Sequence, residues 1–362
     1  MNNLDAQGHE WRSGLRFPWP QPPANGTVQQ VAEGLLWLRM PLPFGLDHIN
    51  LYLLRHDQGW VAVDTGLNNA QTRDVWEALF DTALGGLPLV AVICTHFHSD
   101  HVGVLGWLSE RFRCPVFMSA SEYQAMHQLG SQSDVGSSWA FHEHYRRAGF
   151  STEQTEALFP LLGSAHFRPQ VPTSFRRLSE GSQLTIGGRR WQVKIGRGHS
   201  PEHACLYCAE DGLLISGDQV LPRITSSVCV QVTEPDADPL RDWLESVESL
   251  RDVPDSVLVL PAHERPFFNL HQRLDQLRDH HQEHLQRVLE ACAAPRSAVQ
   301  LMAVLFPKVK GRFDELMAIG ETLAHVNYLI AQGCLVREET AGVFRYGRTP
   351  SGVTARSVLG QL

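Results

Sequence analysis

The pattern of apolar and polar positions divides the chain into short strands alternating with helices. Val31 to Met40, Ile49 to Leu54 and Trp60 to Val63 are apolar runs of strand length, the last two joined by the turn His56-Asp57-Gln58-Gly59. Asn69 to Leu84 changes period, with Val75, Leu79 and Ala83 at helical spacing. Leu89 to Cys94 then returns to the pattern of a buried strand. Small residues in Val102-Gly103-Val104-Leu105-Gly106-Trp107-Leu108 suit a closely packed helix, and Cys114 to Met118 reads as a further strand. This alternation predicts an α/β layered architecture.

Residues 119–175 break the rhythm. Ser121 to Leu129, Trp139 to Ala148 and Thr152 to Leu162 read as helices between Gly and Ser clusters, which makes the segment a helical insert. It serves either as a cap over a site or as an outer buttress, and His142, His144 and Tyr145 fit a solvated helix face as well as a site lining. From Leu178 the pattern is strand again: Leu184 to Ile186, a Gly187-Gly188 hairpin turn, Trp191 to Ile195, Ala204 to Ala209, and Leu213 to Ile215 after Asp211-Gly212. Pro239 to Leu250 is helical and Ser256 to Leu260 is a strand.

Leu270 to Cys292 reads as a long amphipathic helix with Leu274, Leu277, Leu285, Val288 and Leu289 on one side. Its His280, His281 and His284 stand among Asp279, Gln282 and Glu283 and read as a solvated, charged face. A helix capped by Ser297 and running through Leu305, a second from Asp314 to Gln332, and a ribbon of Cys334 to Val336 with Val343 to Tyr346 complete a winged-helix-like order. The expected division is a Pro-rich extended leader over 1–28, a main domain over 29–268 and a C-terminal module over 269–362.

Composition narrows the function. With 362 residues and 43% hydrophobic positions, the chain has material for a full-sized core and a second small domain. A formal net charge of −8 argues against general nucleic-acid affinity. The segment 270–362 carries 11 Lys and Arg against 9 Asp and Glu, so it lacks a basic stripe and reads as a packing or dimerisation module, with a homodimer among the expected partners. No run resembles a membrane span or a signal peptide, and seven scattered Cys fit a reducing compartment, so a cytoplasmic location is expected. Cys205 and Cys208 are read as core residues on opposite faces of one strand.

The candidate chemistry is concentrated in Thr95-His96-Phe97-His98-Ser99-Asp100-His101, at the end of the apolar run Leu89 to Cys94. Three imidazoles and a carboxylate within six positions are ligands that zinc, iron and manganese accept. Asp100 and His101 point differently from the His96/His98 pair, which serves two metals side by side. Further along come Gly198-His199-Ser200-Pro201, Ile215-Ser216-Gly217-Asp218 and Pro261-Ala262-His263, and upstream Val63-Asp64-Thr65-Gly66.

These motifs, in this order, resemble the metallo-β-lactamase superfamily over roughly residues 30 to 268. The resemblance implies a four-layer αββα sandwich and two divalent ions, zinc first with iron or manganese as alternatives. It assigns His96, His98 and His199 to one ion, Asp100, His101 and His263 to the other, and Asp218 to both as a bridge. Asp100 and Asp218 are the expected catalytic carboxylates. Asp64 is expected either to hold a ligand imidazole or to cap a turn. His48 and His203 are expected to be satisfied core or turn residues rather than ligands. Glu202, Ala262 and Glu264 stand where Gly is common in the family.

The pattern looks most like the glyoxalase II group, in which a hydroxide bridging two metals attacks a small thioester or ester. A bridging Asp218 counts against antibiotic hydrolysis, and His98 counts against the diiron electron-transfer branch. A phosphodiesterase or ribonuclease, a lactonase, a mononuclear iron sulfur dioxygenase and a non-catalytic ligand-binding regulator are the alternatives.

Overall fold

The computed structural model describes residues 5, 7–131, 138–162 and 168–349. A short hairpin, β1 (Glu10–Arg12) and β2 (Leu15–Phe17), precedes two large sheets. The first sheet has seven strands in sequence order: β3 (Val28–Ala32), β4 (Leu35–Pro41), β5 (His48–His56), β6 (Gly59–Val63), β7 (Leu89–Ile93), β8 (Val116–Met118) and β9 (Arg176–Arg177). Neighbours are antiparallel up to β6 and parallel from β6 to β9. The run expected over Val31 to Met40 is therefore two strands, because the chain turns at Glu33-Gly34. The second sheet orders β10 (Gln183–Ile186), β11 (Arg189–Gly196), β12 (His203–Cys208), β13 (Leu213–Gly217) and β14 (Leu258–Pro261), with only the β13–β14 pair parallel.

Side-chain alternation assembles four layers from these sheets. In β6, Val61 and Val63 face the second sheet, joining Trp37, Tyr52, Trp191, Val193, Leu206 and Ile215. Trp60 and Ala62 of the same strand face outward onto α1 (Ala70–Asp81), capped by Asn69, and onto α3 (Leu105–Phe112) behind the four-residue α2 (Ser99–Val102). In β12, Cys205 points to the outer helices and Cys208 to the space between the sheets. This four-layer αββα sandwich matches the expected fold.

The insert divides its contacts. Ala125, Gln128 and Leu129 of α4 (Ala120–Ser131) line a cavity that also touches His199. In contrast, α5 (Trp139–Ala148) turns towards the C-terminal segment, where Arg146 Nη1 donates to the Gly342 carbonyl at 2.6 Å. The short α6 (Thr152–Glu156) and α7 (Phe159–Leu162) replace the single helix expected there.

The outer face of the second sheet is covered by α8 (Pro239–Ser249), α9 (Leu270–Ala291), α10 (Ala298–Leu305) and α11 (Arg312–Ala331), followed by the hairpin β15 (Leu335–Thr340) and β16 (Val343–Arg348). Ser297 caps α10, accepting from Gln300 N while Gln300 reaches back to Ser297 N. The solvated reading of the α9 histidines is corrected: His281 and His284 are buried. They fall with Leu274, Leu277 and Val288 on one stripe at spacings of three and four, so they face α11 rather than water. Among the described residues no helix is long and apolar enough to cross a membrane.

Candidate metal centre

Parallel pairing puts strand ends together. β6 and β7 finish side by side in the first sheet, as do β13 and β14 in the second. Asp64 follows β6, His96 follows β7, Asp218 follows β13 and His263 follows β14. His199 enters from the turn after β11, where Gly198 has φ 96° and a Cβ would stand 2.4 Å from the Pro239 carbonyl oxygen. Only glycine fits that turn. The mouth between the sheets thus receives side chains from both.

All seven residues expected as ligands converge there. His96 Nε2 lies 2.9 Å from His98 Nδ1 and 3.2 Å from His199 Nε2. Asp218 stands between two groups: its Oδ2 is 3.4 Å from His199 Nε2 and 3.5 Å from His101 Nε2, and its Oδ1 is 3.4 Å from His263 Nε2. Asp100 Oδ2 is 3.6 Å from His263 Nε2 and 3.8 Å from His101 Nε2. The donor atoms of His96, His98, His199 and Asp218 lie within 4.8 Å of one another, and so do those of Asp100, His101 and His263.

Four of the five imidazoles, all but His98, are oriented by a partner at the other nitrogen. His101 Nδ1 donates to Asp64 Oδ2 at 2.8 Å, His199 Nδ1 to the Ser227 carbonyl at 2.8 Å, and His263 Nδ1 to the His48 carbonyl at 2.9 Å. His96 Nδ1 meets Thr95 Oγ1 at 3.0 Å. Asp64 also accepts from Thr95 N at 2.8 Å, tying the ends of β6 and β7 to one carboxylate.

The electrostatics suit cations. Burial holds His96 and His98 well below the usual imidazole pKa, helped by neighbouring imidazoles, so both present neutral lone pairs. Burial also opposes charge on His101 and His263, yet both are raised: Asp64, Asp100 and Asp218 act on His101, and Asp218 and Asp100 on His263. Burial disfavours the Asp218 carboxylate, but His263 and His101 hold it well below the usual range. Both His101 Nε2 and Asp218 Oδ1 are buried with no hydrogen-bond partner. A nitrogen and oxygen donor set with such orphaned atoms fits divalent ions, which His96, His98, His199 and Asp218 on one side and Asp100, His101 and His263 on the other would hold.

His48 and His203 take supporting places. His48 Nε2 accepts from Glu264 N at 2.9 Å, and His203 Nε2 accepts from Asp218 N at 3.0 Å. Gly217 has φ 50°, and a Cβ there would stand 2.5 Å from His203 Nε2, so the Gly-Asp pair is a packing requirement. Glu264 keeps the left-handed backbone expected of a glycine, φ 69°, and pairs with Arg223.

One contributor is absent from the sequence motifs. The fully buried Glu122 of α4 accepts from Phe97 N at 2.9 Å, Ser200 Oγ at 2.7 Å and Glu202 N at 2.7 Å. Burial pushes its carboxyl up to about 7 against the pull of those three donors. Glu202 itself accepts from Ser121 Oγ at 2.8 Å.

Replacing Asp64 with Asn tests the orienting bond. Asn tolerates the left-handed φ of 64° found here and can still accept from His101. Without the charge behind His101, metal affinity is expected to fall about tenfold, and the amide donor turned towards Thr95 N costs about 1–2 kcal/mol of stability. Competition with a chromophoric chelator measures it; unchanged affinity would leave Asp64 a turn cap only.

The family model for the metallo-β-lactamase superfamily matches residues 44–263, and a metallo-β-lactamase-like C-terminal domain matches 285–349. The chain belongs to the metallo-β-lactamase superfamily. A crystal structure of a β-lactamase domain protein from Burkholderia ambifaria superimposes with a TM-score of 0.86 at 40% identity, over 92% of this chain and 98% of that one. The chain is 24% identical to probable metallo-hydrolase YqjP of Bacillus subtilis, over 83% of its own length and 94% of the relative's. It spans less of two other relatives. A hydroxyacylglutathione hydrolase of Idiomarina loihiensis is 31% identical over 34% of this chain and 45% of its own length. The acyl-coenzyme A thioesterase MBLAC2 of Gallus gallus is 27% identical over 52% and 64%.

Proposed function

We propose that the protein is a dinuclear metallohydrolase that cleaves a small acyl thioester or ester, with zinc as the first candidate metal. The observation that carries this reading is the placement of Asp218, with one carboxylate oxygen towards His199 and His101 and the other towards His263. Two divalent ions held there would lower the pKa of a water and polarise the scissile carbonyl, so no Ser or Cys nucleophile is required.

The chain's own groups supply the rest. Asp218 fixes the spacing of the two donor groups. The Asp100 side chain is 21% exposed at the mouth, the best-placed carboxylate to take a proton from the attacking water on the oxygen it does not give to the donor group. A thiolate leaves without a strong general acid, so the reading asks for none beyond these carboxylates. The named activities of the two shorter relatives support a thioester substrate in the same way.

The cavity beside His199 measures about 360 Å³. Phe97, Leu129 and Pro201 give it an apolar wall, while Glu234 and Asp242 make it acidic; among the described residues no Lys or Arg lines it. That lining suits a neutral or cationic acyl thioester of modest size and disfavours RNA or a polyphosphate carrier. A panel of thioesters assayed on the zinc-loaded enzyme is expected to show highest kcat/KM for small neutral acyl groups on uncharged thiols. Faster cleavage of RNA, or oxygen uptake on a persulfide, would replace this reading.

We read the C-terminal module, two helices followed by a ribbon, as winged-helix-like and as a packing element. Leu301, Leu305, Ile319, Leu323 and Val326 share one apolar cluster with α8 and α9.

A further inference from the structure

Away from the Asp218 centre, the helices α9 and α11 bring four imidazoles and a carboxylate into contact. His281 and His325 are fully buried, and His284 and Glu321 are 6% and 8% exposed. Ring centroids lie 4.2 Å apart for His280 and His284, 5.2 Å for His281 and His325, and 5.3 Å for His284 and His325. Two overlapping sets of donors, His280–His284–Glu321 and His281–Glu321–His325, each fall within 4.8 Å. Glu321 is common to both.

The hydrogen bonding leaves this group unfinished. His325 Nδ1 donates to the Glu321 carbonyl at 2.7 Å, which leaves its Nε2 as an acceptor, and His281 Nδ1 donates to that Nε2 at 3.2 Å. His281 Nε2 is then a bare lone pair, buried without a partner, and so are His284 Nδ1 and Glu321 Oε1. Buried polar atoms are seldom left unpaired, because each one costs free energy. A hydrogen-bonded histidine core would have filled these positions. Neutral imidazole lone pairs around a carboxylate are what a divalent transition metal takes.

We propose that His280, His284 and Glu321, with His281 beside them and oriented by His325, form a second metal site, centred on the Glu321 carboxylate, that takes one zinc-class divalent ion and clips α9 to α11. Burial keeps the imidazoles uncharged: His281 is held well below its usual value, His284 at about 3 and His325 at about 4. Burial also pushes Glu321 up to about 8, so in this pocket the carboxylate lacks the countercharge that the ion brings. His280 is only partly buried, which gives the ion a way in from the surface. The ion would join His284 of α9 to Glu321 of α11 and so stabilise the C-terminal module. Its role is structural, since neither helix carries a residue of the Asp218 centre.

The test counts metals on the full chain, stripped with chelator and refilled with Zn²⁺ or Co²⁺, by native mass spectrometry. The wild type is expected to take one ion more than Glu321→Gln, with unchanged circular dichroism. A chain carrying Asp218→Ala and His263→Ala should still bind one ion at the helices, seen as Co²⁺ absorption that disappears on adding Glu321→Gln. Should Glu321→Gln fail to fold, His280→Gln with His284→Gln reads the same loss from the more accessible side. Equal metal counts in the wild type and these helix variants would overturn the site, whatever happens at Asp218.

Discussion

Asp218→Ala is expected to lower kcat/KM for thioester hydrolysis about a thousandfold and to release metal from both donor groups of the main centre. The side chain lies between the two groups, with each oxygen 3.4 Å from an imidazole nitrogen that belongs to a different set. Removing it costs the centre its shared anion and leaves two cationic positions facing each other. Electrostatic stabilisation of that kind is worth several kcal/mol in the transition state; about 4 kcal/mol corresponds to the thousandfold loss. The fold should survive, because the backbone at 218 is held independently: its N–H donates to His203 Nε2 at 3.0 Å and its carbonyl accepts from Ser226 Oγ. Steady-state kinetics and metal analysis on the same preparations decide it. Full activity with one metal per chain would remove the bridge from the mechanism; full ligand affinity without turnover in the wild type would make the protein a binder.

The convergence of the seven candidate residues was legible because they are local and strand-terminal. His96, His98, Asp100 and His101 occupy one loop, and His199, Asp218 and His263 each follow a short apolar strand that announces itself. What holds these ligands was less legible. The acceptors for His199 and His263 are the backbone oxygens of Ser227 and His48, and a backbone oxygen leaves no trace in the choice of side chain. Asp64 stood out because it ends a strand and stands in one of the motifs that carry the resemblance.

Other misreadings have equally specific causes. The first 28 residues looked extended because of Pro18, Pro20, Pro22 and Pro23, yet upstream of them Ser13 and Gly14 both take left-handed φ, 51° and 79°, and close a hairpin of three-residue strands. Strands that short carry no readable period. In α9 the charged neighbours of His281 drew attention from its place on the leucine stripe, where the next turns inward are Leu277 and Leu285. A histidine on an apolar stripe is a buried polar group in need of a partner, and that partner, His325, lies 44 residues away on another helix.

Glu122→Ala should be the most damaging substitution outside the ligands, lowering stability by about 4 kcal/mol and weakening metal retention by one to two orders of magnitude. Its carboxylate joins two loops that are remote in sequence, the one carrying His96 and His98 and the one carrying His199. These three imidazoles belong to a single donor group, so the loops must keep a fixed distance for that group to exist. Alanine would leave the partly buried Phe97 N and Glu202 N without acceptors, at about 1–3 kcal/mol each, while Ser200 Oγ can rotate to another partner. Glu122→Gln keeps one acceptor oxygen but turns an amide donor towards an N–H, so a smaller loss is expected, about 1–2 kcal/mol. Urea denaturation of the metal-free proteins separates the fold from the ligands, and metal titration then measures the second effect. A Glu122→Ala protein as stable as the wild type, with unchanged metal affinity, would mean the two loops are held by the sheets alone.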